Sequence, residues 1–177
     1  THKGKMLTYF RLYLQSDAIM VEDAGEIGET TFQALRKFLL YGTKAKMENG
    51  AESWGLLLVS GPKATQVIQS AFGVDVASLN PLNFVTAQIG GTQALMIRTE
   101  ETGETDIEIL LPIAGLSTAW GTLREVGAKF DIKPIGGHAL EAGEHGDAEE
   151  AGAEEGVALS DERGAAPKRG DGGEDEA

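Results

Sequence analysis

Short strand-like runs come in pairs along this chain, with single amphipathic helices between the pairs. No other feature narrows the fold as much. "KMLTYFRLYL" (5–14) and "DAIMVED" (17–23) are rich in branched and aromatic residues and flank a Gln-Ser-Asp turn signal, so they read as a hairpin. "GETTFQALRKFLLYG" (28–42) reads as a helix, with Thr30 or Thr31 as its cap. Phe32, Leu35, Phe38 and Leu39 fall on one face of it, and Gly42 is the stop. "KAKMEN" (44–49) is a short strand candidate, and the apolar run "SWGLLLVSG" (53–61) belongs inside a sheet. "GPKATQVIQSAFG" (61–73) is the cleanest helix. Pro62 suits a first helical position, Ala64, Val67, Ile68, Ala71 and Phe72 recur at helical spacing, and Gly73 ends it.

"NFVTAQIGG" and "TQALMIRT" (83–99) form a second hairpin turning at Gly90-Gly91, and "DIEILLP" (106–112) is the next strand. "LSTAWGTLREVGA" (116–128) is a third helix, with Leu116, Trp120 and Leu123 on one face and Gly127 at its end. "KFDIKPIG" (129–136) returns one short strand. The expected order ββαββαβββαβ predicts an α+β fold of ferredoxin-like antiparallel sheet units with helices on one side.

Charge divides the chain near Gly137. His138–Ala177 carries 13 acidic and three basic residues, a net of −10, whereas the first 137 residues carry only −3 of the total −13. That last stretch is built from Ala, Gly, Glu and Asp without an aromatic residue. It lacks the apolar surface to offset the ~1–2 kcal/mol per residue lost on ordering a backbone, so a disordered acidic tail is expected. The near-neutral remainder argues against nucleic-acid binding, which needs a basic surface to displace counterions. With no cysteine, disulfides and cysteine-ligated metal sites are excluded within this sequence. The histidines His2, His138 and His145 have no ligand-like spacing, so no metal site is expected. No run reaches the ~20 apolar residues of a membrane span. The default is a protein of the cytoplasm, or of the mitochondrial matrix if eukaryotic. Thr1 leads straight into strand-like sequence, so the natural start is expected upstream.

"RTEETGETDIEILLP" (98–112) packs five carboxylates into a segment that ends as an apolar strand. Period-two alternation puts Asp106, Glu108 and Leu110 on one face and Ile107, Ile109 and Leu111 on the other. Taken alone, Glu108 reads as a solvent-facing strand residue, Arg11 as an outward arginine on an edge strand, and Trp54 and Trp120 as core anchors. The Gly61-Pro62 start of the second helix lacks the lysine-ended Gly-rich loop of a phosphate site.

Read as an ordered set, Arg98-Thr99, Thr102-Gly103-Glu104, Glu108, Pro112, Trp120, Leu123 and Gly127 resemble the signature of the glycine-cleavage T-protein (aminomethyltransferase) superfamily of folate-binding proteins. "KGKMLTYFRLYL" is similar to the lysine-glycine-led strand of its YgfZ-like branch, and so are "FQALRKFLLYGTKAKMEN" and "LLLVSGPKAT" to that branch's next segments. The resemblance covers about residues 3 to 137. It implies a partial folate-binding domain over 1–137, followed by the tail over 138–177.

The resemblance further implies that Glu108 accepts the two neighbouring donors of a pterin ring, an amino group and a ring N–H. Glu104 belongs to the turn that positions its strand, and Arg98, with Lys3 or Arg11, offers charge to the ligand's glutamate tail. The implied cofactor is tetrahydrofolate, and the YgfZ branch is linked to iron–sulfur protein maturation and tRNA modification, with iron–sulfur assembly clients as implied partners.

Departures from the family bear on activity. Aminomethyltransferases carry an aspartate in the strand where this chain has Leu7 and Thr8, and neither can act as a carboxylate. Glu100-Glu101 replace the family's Gly-Tyr, and the lysine-glycine-cysteine-tyrosine run of the YgfZ branch is missing. Binding without turnover, and no catalytic residue, is therefore the expectation. Aminomethyl transfer and a structural module without ligand are the alternatives.

Overall fold

The computed structural model describes residues 4, 6, 8–23, 27–42, 44–135 and 158–161 of the protein. Strands β1 (Phe10–Leu14) and β2 (Ile19–Asp23) form an antiparallel hairpin that is a sheet of its own. The main sheet contains β3 (Trp54–Ser60), β4 (Phe84–Ile89), β5 (Thr92–Thr99), β6 (Asp106–Pro112), β7 (Lys133–Pro134) and β8 (Ala158–Asp161), in the order β4-β5-β6-β3-β8-β7. Its pairings are antiparallel apart from β7 with β8. Helices α1 (Gly28–Arg36), α2 (Ala64–Phe72) and α3 (Ile113–Gly127) complete an α+β architecture.

Side-chain parity gives the sheet two different faces. Leu57 and Val59 of β3, Ala94 and Met96 of β5, and Ile107, Ile109 and Leu111 of β6 meet Val67 and Ile68 of α2 and Ala119 and Leu123 of α3. Each fully buried valine, leucine, isoleucine or methionine side chain there contributes roughly 1.5–3 kcal/mol. Helices α2 and α3 thus lie on one side, as the strand order anticipates. Leu95, Ile97 and Leu110 line the opposite face, and the β1–β2 hairpin covers them with Tyr13 and Met20. The Tyr13 ring meets Phe84 edge-on at 5.9 Å between centroids. Both tryptophans pack against these cores, Trp120 on the helix side and Trp54 on the hairpin side.

Local chemistry explains most boundaries. Gly90 and Gly91 both have positive φ (57° and 81°), the backbone a two-residue hairpin turn requires. Gly73 closes α2 in the left-handed conformation and donates its N–H to the Gln69 carbonyl. Pro62 stands before the helix proper, which begins at Ala64.

The region around α1 departs most from expectation. Its N-cap is Ile27, without a side-chain cap bond, and the expected cap Thr31 is instead buried, its hydroxyl 2.6 Å from that of Thr8. The helix ends at Arg36 rather than running to Gly42, and Phe38 is 80% exposed. Only Thr31 of this helix is buried, so further turns would gain little from packing. Residues 44–49, a strand candidate by sequence, form no strand. Of the segment expected to be a disordered tail, Ala158–Asp161 pairs with β3 as β8, and the remainder lies outside the described residues.

Candidate functional site

The registers of β6 decide what surrounds its carboxylates. Glu108 stands opposite Leu58 of β3 and Ile97 of β5, and Asp106 opposite Ser60 and Thr99. Cross-strand partners share a face, so both acids lie on the hairpin side. Solvent is not what they meet: Asp106 is 0% and Glu108 5% exposed. This overturns the reading of Glu108 as a solvent-facing strand residue. Alternation tells which residues share a face, but not that a separate hairpin covers it.

Asp106 is satisfied locally. The Thr102 N–H donates to its Oδ2 at 2.9 Å, and the Thr102 hydroxyl donates to its Oδ1 at 2.7 Å. Because that hydroxyl proton is committed, the Ser60 hydroxyl donates to Thr102 Oγ1 at 2.9 Å. Gly103 has a φ of 82°, the backbone this Thr102-Gly103-Glu104 turn needs. Asp106 therefore anchors the turn that launches β6. Glu104 is exposed, and only its backbone N–H reaches Thr102 Oγ1, at 3.4 Å.

Glu108 is satisfied from far along the chain. Arg11, 97 residues earlier, donates Nη1 to both carboxylate oxygens at 2.8 and 3.0 Å. Arg11 Nη2 pairs with Glu101 of the β5–β6 loop, and Nη1 lies 3.7 Å from Glu22 of β2. The Tyr13 hydroxyl donates to the same Glu22. The arginine expected to point outward therefore points inward, because Arg11 and Tyr13 are the β1 residues that face the sheet. One guanidinium is shared by three carboxylates.

This crowding sets the protonation states. Burial, then the negative charge of Glu22, push the Glu108 carboxyl up to about 7, with a further push from Asp106 and a partial offset from Arg11. Burial opposes the Arg11 charge, but the bonds to Glu108 and its negative charge prevail, so the guanidinium is held even more firmly protonated than usual. Burial and the Glu22 bond raise the Tyr13 phenol, which stays a donor at neutral pH.

Of the other expected site residues, Arg98 stands apart. It pairs with Ile107 on the helix side of the sheet, and its Nη1 donates to the carbonyls of Ala77 and Leu79 at 3.2 and 3.0 Å. Its Nη2 reaches Glu100 at 3.3 Å. Lys3, Leu7 and the three histidines lie outside the described residues. Glu101, which sequence marked only as a departure from the family, and Glu22, which sequence did not single out, complete the cluster. Glu22 is detectable only through its pairing with Arg11 in the β1–β2 register. A cleft of about 420 Å³ lies elsewhere, lined by Phe32, Arg36, Leu39 and Met47. No helix among the described residues is long and apolar enough to cross a membrane.

Comparison with known proteins shows what the chain is similar to. The family model described as "GCVT N-terminal domain" matches residues 8–143. The aminomethyltransferase of Exiguobacterium sibiricum is 28% identical over 140 residues, 72% of this chain and 38% of that protein. That of Caldanaerobacter subterraneus subsp. tengcongensis is 28% identical over 138 residues, 76% of this chain and 36% of that protein. That of Chlorobaculum parvum is 36% identical over 93 residues, 51% of this chain and 25% of that protein. The chain spans roughly a third of the length of these relatives. With most of its length matched by that model, the chain belongs to the GCVT N-terminal domain family.

Proposed function

We propose that this chain is a reduced-folate-binding protein of the YgfZ-like type that binds its ligand without turning it over. The observation that carries this reading is the buried carboxylate of Glu108, held between the main sheet and the β1–β2 hairpin. A pterin offers an amino group and a ring N–H side by side, and one carboxylate accepts both. Such a charge-assisted pair contributes about 1.5–3 kcal/mol and orients the ring. Membership of the family, whose relatives named above are aminomethyltransferases, supports tetrahydrofolate as the ligand.

Binding without turnover is supported by the residues at positions 7 and 8. Leu7 and Thr8 stand where the family resemblance calls for an aspartate, and the Thr8 hydroxyl is engaged with Thr31. Residues 1–137 would form the folate-binding part and residues 138–177 an acidic extension of it, with Ala158–Asp161 joined to the main sheet. The branch's link to iron–sulfur protein maturation and tRNA modification belongs to the same proposal.

Isothermal titration of the 177-residue chain with 5-formyltetrahydrofolate, a stable reduced folate, tests the reading. Binding is expected, with Glu108→Gln weakening it about 10- to 100-fold, as the loss of a charge-assisted pair implies. Equal binding by both proteins, or no heat from either, refutes it. Formation of methylenetetrahydrofolate from an aminomethylated carrier would instead restore the enzyme reading.

A further inference from the structure

The Glu108 carboxylate already holds a ligand of the protein's own making. Arg11 Nη1 donates to both of its oxygens, at 2.8 and 3.0 Å. A guanidinium and the amino-pyrimidinone edge of a pterin have the same functional skeleton, an sp² carbon bearing neighbouring N–H donors. A donor seated across both oxygens occupies the position the other would need. The two donors would seat on the same pair of oxygens and therefore compete for one position.

The surroundings of Arg11 fit an exchange rather than a permanent clamp. Its Nη2 is paired with Glu101, and Glu22 lies 3.7 Å from Nη1. A guanidinium that lets go of Glu108 thus keeps two carboxylates and is never left buried without a counter-charge, the situation that makes breaking most buried ion pairs so unfavourable. Glu101 is also well placed to lead it outward, since its side chain is 47% exposed whereas that of Glu108 is 7% exposed. The hairpin that carries Arg11 is a separate two-stranded sheet, so its side chains can shift without breaking the main-sheet ladder.

We propose that Arg11 is an intramolecular stand-in for the pterin edge, occupying Glu108 in the empty protein and moving onto Glu101 and Glu22 when ligand arrives. This rests on the folate reading above, and it makes Arg11 the residue that sets how tightly, and for which donors, the site is available. Removing the competitor should strengthen ligand binding even though it removes a positive charge from a site for an anion.

Two measurements on the 177-residue chain test this. The first is titration of 5-formyltetrahydrofolate into wild type, Arg11→Met and Arg11→Lys. Arg11→Met, which keeps the apolar stem without the donors, should bind about tenfold more tightly or better. Arg11→Lys, which keeps the charge and the fold but loses the planar donor fork, should fall between. The second measurement needs no folate. Arg11→Ala opens a guanidinium-sized gap beside Glu108, so guanidinium chloride at about 10 mM should raise its melting temperature by a few degrees relative to sodium chloride. The same salt should leave wild type and the Arg11→Ala/Glu108→Gln double variant unmoved.

If wild type binds folate through Glu108 but Arg11→Met and Arg11→Lys bind no more tightly, Arg11 is a structural staple. The stand-in idea then falls while the folate reading stands. Failure of guanidinium to rescue Arg11→Ala overturns it equally. If none of the proteins binds the folate, both readings fall together.

Discussion

Glu108 should make the protein less stable as the solution becomes more alkaline, against the usual behaviour of paired carboxylates. Its carboxyl is moved from an ordinary 4.5 to about 7, by burial first and by Glu22 and Asp106 after it, with Arg11 opposing. The folded chain therefore holds this proton more tightly than the unfolded chain does. The stability this confers is fully present below about pH 4.5, declines as pH rises and is gone above about 7. At ~1.4 kcal/mol per pH unit, the whole change is worth about 3 kcal/mol. Glu108 is only 5% exposed, so solvent screening removes little of it. Tyr13 stays neutral and Arg11 charged throughout this window, and neither adds a slope of its own. Glu108→Gln cannot ionise. Urea unfolding of both proteins at pH 5, 6, 7 and 8 isolates the effect, because the other carboxylates cancel in the difference. The Gln variant should gain on wild type by up to about 3 kcal/mol between pH 5 and 8. Parallel profiles would mean that Arg11 keeps the carboxylate ionised across the range, and the argument from burial would be wrong. Folate affinity should move the other way in wild type, tightening as Glu108 ionises through pH 7, since only the carboxylate accepts both pterin donors.

Two further outcomes probe the frame that holds the site. Asp106→Ala removes the acceptor for both the Thr102 N–H and its hydroxyl and should destabilise the chain by about 2–4 kcal/mol in urea melts. Hydrogen exchange at the Thr102 amide should accelerate in parallel, and unchanged protection there would deny Asp106 its anchoring role. Gly127→Ala would drive a Cβ into Ile132 Cδ1 and to 2.8 Å from its Cγ1, an overpacking worth about 1–3 kcal/mol. Pairing it with Ile132→Ala should return part of that loss, and strictly additive effects would show that the two positions do not meet.

Much of the frame can be read before any coordinates. The Gly90-Gly91 turn, the Gly73 stop and the apolar spacing of α2 are local, and local chemistry suffices because each is decided by a few neighbouring backbone groups. The α1 region is less legible for the complementary reason. Phe32, Leu35, Phe38 and Leu39 have helical spacing, but spacing does not say whether a surface exists to receive them, and the helix stops at Arg36.

The site divides along the same line. Sequence alone put Glu108 in a strand with Asp106 on its own face, and the family resemblance marked it for a ligand. Arg11 read by itself as an outward arginine on an edge strand, and the resemblance gave it and Arg98 only a charge for the ligand's glutamate tail. Pairing Arg98 with Ile107 turns it to the helix side, and a hairpin folded over the opposite face brings Arg11 across 97 residues onto Glu108. Strand period fixes neighbours within one segment. Which face is covered, and by which charge, depends on how separate segments pack, and that lies in the tertiary structure because burial and ion pairing act through space rather than along the chain.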